Sequence, residues 1–127
     1  MGFRSEVAKS NQFYISKHRY YELKHFCLQY PEWKELYFYA KTQTLHELDD
    51  PTGYYASIMA DCQYCMSLVE DTANGTDKVL GRYIFKHVTT GATYEKLRAV
   101  DSIPCGRELF YAYLRRFFYL LSKEKGV

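Results

Sequence analysis

The sequence predicts an all-α protein: an N-terminal helical pair and a long middle helix leading into a C-terminal unit of three helices. Three observations predict it. Apolar residues recur every three or four positions through most of the chain, as one face of a helix requires. Capping residues, prolines and glycines fall between those periodic runs. No stretch shows a convincing strand pattern of alternating apolar and polar residues.

Met1 to about Phe13 has no sustained periodicity and reads as a loose start. From Ser16 onward Tyr20, Leu23, Cys27 and Tyr30 keep helical spacing, with Phe26 alongside. Pro31 ends this first helix, because the residue before a proline disfavours the helical region. Pro31 then suits the first position of the next helix, where Glu32 and Glu35 favour the dipole and Trp33, Leu36, Tyr37 and Ala40 can face a core. Thr42 to Asp50 has the polar and acidic residues of a connection, with Leu45 and Leu48 able to form a short helical turn. Asp50 as cap and Pro51 as first residue open the middle helix, whose stripe of Tyr55, Ile58, Met59, Cys62, Met66 and Val69 extends to about Asp71. Asn74-Gly75 is expected to break it.

A fourth helix is predicted from about Asp77, using Val79, Leu80, Tyr83, Ile84 and Val88 and closed by Thr89, Thr90 and Gly91. Thr93 can cap a short fifth helix in which Glu95 and Lys96 precede apolar Leu97 and Val100. Asp101, Ser102 and Pro104 stop it. Gly106 is a permissive cap for the last helix, whose Phe110, Leu114, Phe117 and Leu121 form one apolar stripe. Val79, Tyr83, Ile84 and Val88 are expected to pack against Leu97, Val100, Ile103, Phe110 and Leu114, since two helices alone bury too little. Residues 1–76 thus form an N-terminal helical region and 77–127 a C-terminal unit, within one compact chain.

A short helix, a tight connection and a longer helix are the sequence form of a helix-turn-helix, in which the first turns of the second helix enter the DNA major groove. Helical hairpins with no DNA role share the pattern. Arginine at the head of the second helix suits the DNA reading, because its fork pairs with guanine O6 and N7 or with phosphate. Arg107, Glu108, Tyr111 and Arg115 are the candidate groove-facing residues; Lys96, Arg98 and Arg116 are better placed for phosphates.

The net charge of +2 conceals a segregation. Residues 1–41 carry seven basic and four acidic side chains, 42–77 none and seven, and 78–127 ten and four, so the segment charges are +3, −7 and +6. A basic segment around the hairpin is what attraction to phosphate requires, although a solvated helix face carries such charges too. Fourteen tyrosines and eight phenylalanines are read first as a core of amphipathic rings, and second as rings that stack on bases or on a partner.

Other functions find little support. The Cys62-Gln-Tyr-Cys65 spacing suits zinc, but Cys27, His25 and Cys105 do not form the second pair a tetrahedral site needs, so no metal or cofactor is expected. The four cysteines read as thiols. There is no phosphate-binding glycine loop and no HExxH, and His18, His25, His46 and His87 have no paired metal spacing, so the sequence does not read as an enzyme. No apolar run reaches the ~18 to 20 residues that span a bilayer. MGFRSEVAKS also lacks the apolar core of a secretory signal, so a cytoplasmic protein is expected.

The stretch ATYEKLRAVDSIPCGRELFYAYLRRFFYLLSKEKG resembles the C-terminal end of small phage-encoded proteins of Gram-positive bacteria, close to the RinA and ArpU regulators, whose ends are similar to the promoter-reading helix-turn-helix of sigma factors. The N-terminal YYELKHFCLQYPEWKELY resembles the opening of a clostridial phage branch of the same group, and the likeness weakens between about Gln43 and Thr76. The resemblance implies a phage transcriptional regulator acting on double-stranded DNA; a single reading helix gives limited specificity, so a second copy of the chain or contact with RNA polymerase would help. The alternative class is a helical structural or adaptor protein working through its aromatic N-terminal helices.

Overall fold

The computed structural model describes residues 11–46, 50 and 52–126. Residues 1–10, with most of the loose start, and Leu48, Asp49 and Pro51 lie outside the described residues. The protein is all-α, with no strand among the described residues: α1 Lys17–Leu28, α2 Tyr30–His46, α3 Tyr54–Thr76, α4 Gly81–Thr90, α5 Tyr94–Asp101 and α6 Arg107–Lys125.

The N-terminal pair forms where the proline predicts. Ser16 caps α1 by accepting from Arg19 N at 3.2 Å, and α2 starts at Tyr30 with Pro31 inside its first turn, where the missing N–H has no helical partner to lose. The expected connection at Thr42 is instead helix as far as His46. Its threonines bond within the helix, Thr42 Oγ1 donating to Phe38 O at 2.9 Å and Thr44 Oγ1 to Lys41 O at 2.7 Å, so turn-forming residues do not end it.

Both ends of the middle helix also shift. Gly53, at φ 68°, is the cap of α3 rather than Asp50, and the helix opens at Tyr54; the Asp50 carboxylate reaches the first turn from outside the helix, accepting from Ala56 N at 3.2 Å. Asn74-Gly75 does not break it. Both residues are exposed while Thr72, Ala73 and Thr76 are buried, and Thr76 Oγ1 donates to Thr72 O at 2.8 Å. Burial of the apolar face therefore outweighs the turn signal on the other face. Helix α4 starts at Gly81 rather than Asp77. Asp77 holds the intervening turn, its carboxylate accepting from Val79 N at 2.9 Å and Leu80 N at 2.8 Å.

Helices α5 and α6 have the expected boundaries, with Thr93 accepting from Lys96 N at 3.2 Å and Gly106 as the second cap. Leu23, Cys27, Val69, Ile84, Leu97, Phe110, Leu114, Phe117 and Leu121 are among the members of one core cluster that α1, α3, α4, α5 and α6 all supply. Each fully buried side chain of this size contributes about 1.5–3 kcal/mol. Helix α6 rests on α1, α3 and α4. Helix α2 lies antiparallel along α3, since Tyr30 bonds Glu70 near one end while Tyr39 meets the Tyr55 ring near the other. Three expected core residues are on the outside: Leu36, Val79 and Val100 are 45%, 61% and 65% exposed. Leu36 and Val100 lie within α2 and α5 on their exposed sides, whereas Val79 is in the turn before α4 rather than on its helical stripe.

Candidate functional site

The connection between α5 and α6 runs from Ser102 to Gly106 and is tied at both ends. Ser102 takes a left-handed conformation, φ 53°, and Ile103, buried, donates its N–H to Leu97 O at 3.3 Å. Tyr94 in the first turn of α5 donates its hydroxyl to Cys105 O at 2.7 Å and accepts from Arg98 Nη1 at 3.3 Å. Lys86 Nζ also bonds both carboxylate oxygens of Asp101, at 3.0 and 2.8 Å, which joins α4 to the end of α5. The head of α6 is thereby held against α5.

Arg107 is the first residue of α6. It pairs with Glu95 of α5 across the connection, and its guanidinium stands 6.0 Å from the Tyr94 ring centroid and 5.4 Å from that of Tyr111. Arg107, Glu108 and Arg115 share one open face of α6 with Gly106, Leu109 and Ala112. Phe110 and Leu114, on the opposite side of the same helix, are fully buried. The exposed side of the first two turns is thus presented on an immobilised backbone.

The other candidates are placed differently. Tyr111 is half-buried, its ring 5.3 Å from Phe110. Lys96 and Arg98 are exposed on α5, with Arg98 turned towards Tyr94. Arg116 lies over the Phe13 ring at 5.7 Å, and Phe13 also meets Tyr119 at 5.5 Å. The expected loose start therefore ends in a contact with α6. Glu95 was not among the sequence candidates; only its place in the first turn of the capped helix was visible there, and its partner depends on the geometry of the connection.

Among the described residues no three His, Cys, Asp or Glu side chains come together as metal ligands. Burial pushes the Cys62 and Cys65 thiols up, away from the thiolate that metal binding and nucleophilic attack require. The Cys27 thiol is pushed up to about 12 for the same reason. His87 donates from Nδ1 to Ala92 O at 2.6 Å, with its ring edge-on to Phe110; this is a packed histidine. Among the described residues no helix is long and apolar enough to cross a membrane.

No protein-family model, curated protein or solved structure matches the chain.

Proposed function

We propose that the chain is a DNA-binding transcription regulator of the phage type, in which α5 and α6 act as a helix-turn-helix and the first two turns of α6 enter the major groove. The observation that carries this reading is the common placement of Arg107 and Arg115 on one open face of a helix whose other side is core. A groove-reading helix needs this division, with base-facing side chains at its N-terminal turns and a rigid seat behind them. The +6 charge of residues 78–127 supplies attraction to phosphate. One such helix reads few bases, so a second copy or RNA polymerase would add specificity.

The adaptor reading has its own observation. Phe38, Tyr39, Leu45 and Tyr54 of α2 and α3 are each more than half exposed, and the acid-only segment 42–77 would repel DNA from that end. Titrating the protein with a duplex selected from a random pool, and with a scrambled duplex, at two salt concentrations separates the two readings. DNA binding predicts a preference for the selected duplex and weaker binding to both as salt rises. Absence of binding to either duplex in moderate salt, with and without RNA polymerase, overturns it and leaves the adaptor.

A further inference from the structure

The cation at the head of α6 opposes its own helix. The N-terminus of a helix carries partial positive charge, so an arginine at the first position is unfavourable there, whereas the acid in the first turn of α5 is favourable. The ion pair of Glu95 with Arg107 offsets that conflict across the connection. It is also exposed, at 63% for the Glu95 side chain and 42% for Arg107, and exposed pairs contribute little to stability. What the pair does accomplish is geometric. Glu95 contacts the guanidinium from one side, the Tyr94 and Tyr111 rings stand 6.0 and 5.4 Å from it, and Tyr94 is itself fixed by its bond to Cys105 O.

We propose that Glu95 is a positioning residue for Arg107, holding its guanidinium at the edge of the open α6 face for a base edge and discouraging a phosphate there. This rests on the DNA-binding reading above. The physical reason is a difference in charge between the two possible acceptors. A phosphate on Arg107 would bring its negative charge beside the Glu95 carboxylate, whereas guanine O6 and N7 are neutral acceptors that fit the same fork. An acid next to the reading arginine therefore penalises the sequence-independent contact more than the specific one, which is how discrimination is gained by building against the wrong ligand. A pre-set fork also has less freedom to lose when it meets the base.

The test compares Glu95→Ala and Glu95→Gln on the selected and scrambled duplexes, with thermal melts confirming that both variants fold. Both substitutions remove the same charge, so both are expected to bind the scrambled duplex more tightly than the parent protein. Only glutamine keeps an acceptor for the guanidinium. Glu95→Ala is expected to lose about tenfold in the ratio of selected to scrambled affinity, a 1.4 kcal/mol change; Glu95→Gln, which keeps the acceptor without the charge, recovers only the part due to positioning and stays below the parent protein. In an Arg107→Ala background, Glu95→Ala should lower the ratio no further, because its effect acts through the arginine. A Glu95→Gln ratio equal to the parent's, no tighter binding of the scrambled duplex by either variant, or an undiminished loss without Arg107, would overturn the proposal while leaving DNA binding in place. A parent protein that shows no preference for the selected duplex removes the DNA reading, and this inference with it.

Discussion

Arg19, in the first turn of α1, closes the far end of α6 at Ser122: its Nε donates to Ser122 Oγ at 3.0 Å and its Nη2 to the Ser122 carbonyl at 3.2 Å. The same Nη2 donates to Gly126 O. The last carbonyls of a helix have no partner within it, and a cation there also suits the dipole. One guanidinium therefore ties the far end of α6 to the first turn of α1.

Arg19→Ala should lower unfolding stability by about 1–3 kcal/mol, the range for hydrogen bonds to charged groups in partly buried sites. Arg19→Lys should recover less than half, because an ammonium cannot reproduce the fork. Urea denaturation measures both. A midpoint unchanged in Arg19→Ala would show that these bonds add nothing to the packing of α1 on α6.

Two glycines should respond to alanine in opposite directions. A Cβ on Gly81 would sit 2.7 Å from Ala73 O and 3.1 Å from Asn74 Cα, both backbone atoms of α3. Such an overlap is relieved only by moving α4 off α3, at about 1–3 kcal/mol. A Cβ on Gly75 meets nothing within 4 Å, and that residue is inside α3. Gly75→Ala should therefore stabilise by about 0.4–1 kcal/mol, by restricting the unfolded chain. Thermal melts of the two variants should move apart; a loss in Gly75→Ala would mean that α3 does not continue through Asn74.

This pair of glycines also shows what the sequence could and could not disclose. Thr93, Gly91 and Gly106 were legible as helix ends, because each cap acts on backbone within a few residues of itself. Asn74-Gly75 was misread because the competing term was distant. The burial of Ala73 and Thr76 and the close approach of Gly81 depend on where α4 docks. At the candidate site, the outward placement of Arg107 and Arg115 followed from the apolar stripe opposite them. The Glu95 to Arg107 pair and the Arg116 to Phe13 contact did not, since one depends on the path of a five-residue connection and the other on a segment without periodicity.

His87 gives a pH dependence with a definite sign. Burial lowers its pKa from 6.5, the nearby Lys24 charge acts in the same direction, and the bond to Ala92 O opposes them without prevailing. The folded state therefore prefers the neutral ring while the unfolded chain takes up a proton near pH 6.5. Its contribution to stability is complete above about pH 6.5 and is lost as the pH falls through the lower folded value. His87→Gln keeps an amide donor for Ala92 O but does not titrate. Melting temperature should fall between pH 7.5 and 5.5 in the parent protein, and the variant should show a shallower fall. Parallel slopes in the two proteins would mean that His87 is not held neutral.

The arginines of α6 should fail in different ways if the helix lies in the major groove. Arg107 is at the first helical position, paired with Glu95 and flanked by the Tyr94 and Tyr111 rings, where a groove-bound helix reaches base edges. Arg115 is on the same open face two turns further on, where a groove-bound helix drifts towards the phosphates. Arg107→Ala should cost about 1–3 kcal/mol on the selected duplex and less on a scrambled one, so that sequence choice relaxes. Arg115→Ala should weaken both duplexes alike and reduce the slope of log affinity against log salt by about one unit. Arg116→Ala belongs with Arg115, with a smaller change in slope expected because its guanidinium is turned to Phe13. Equilibrium titrations of the three variants at several salt concentrations check this. If all three lower affinity for both duplexes by the same factor, α6 meets DNA along its phosphates rather than by its N-terminal turn, and the docking proposed for the helix is wrong even though the protein binds DNA.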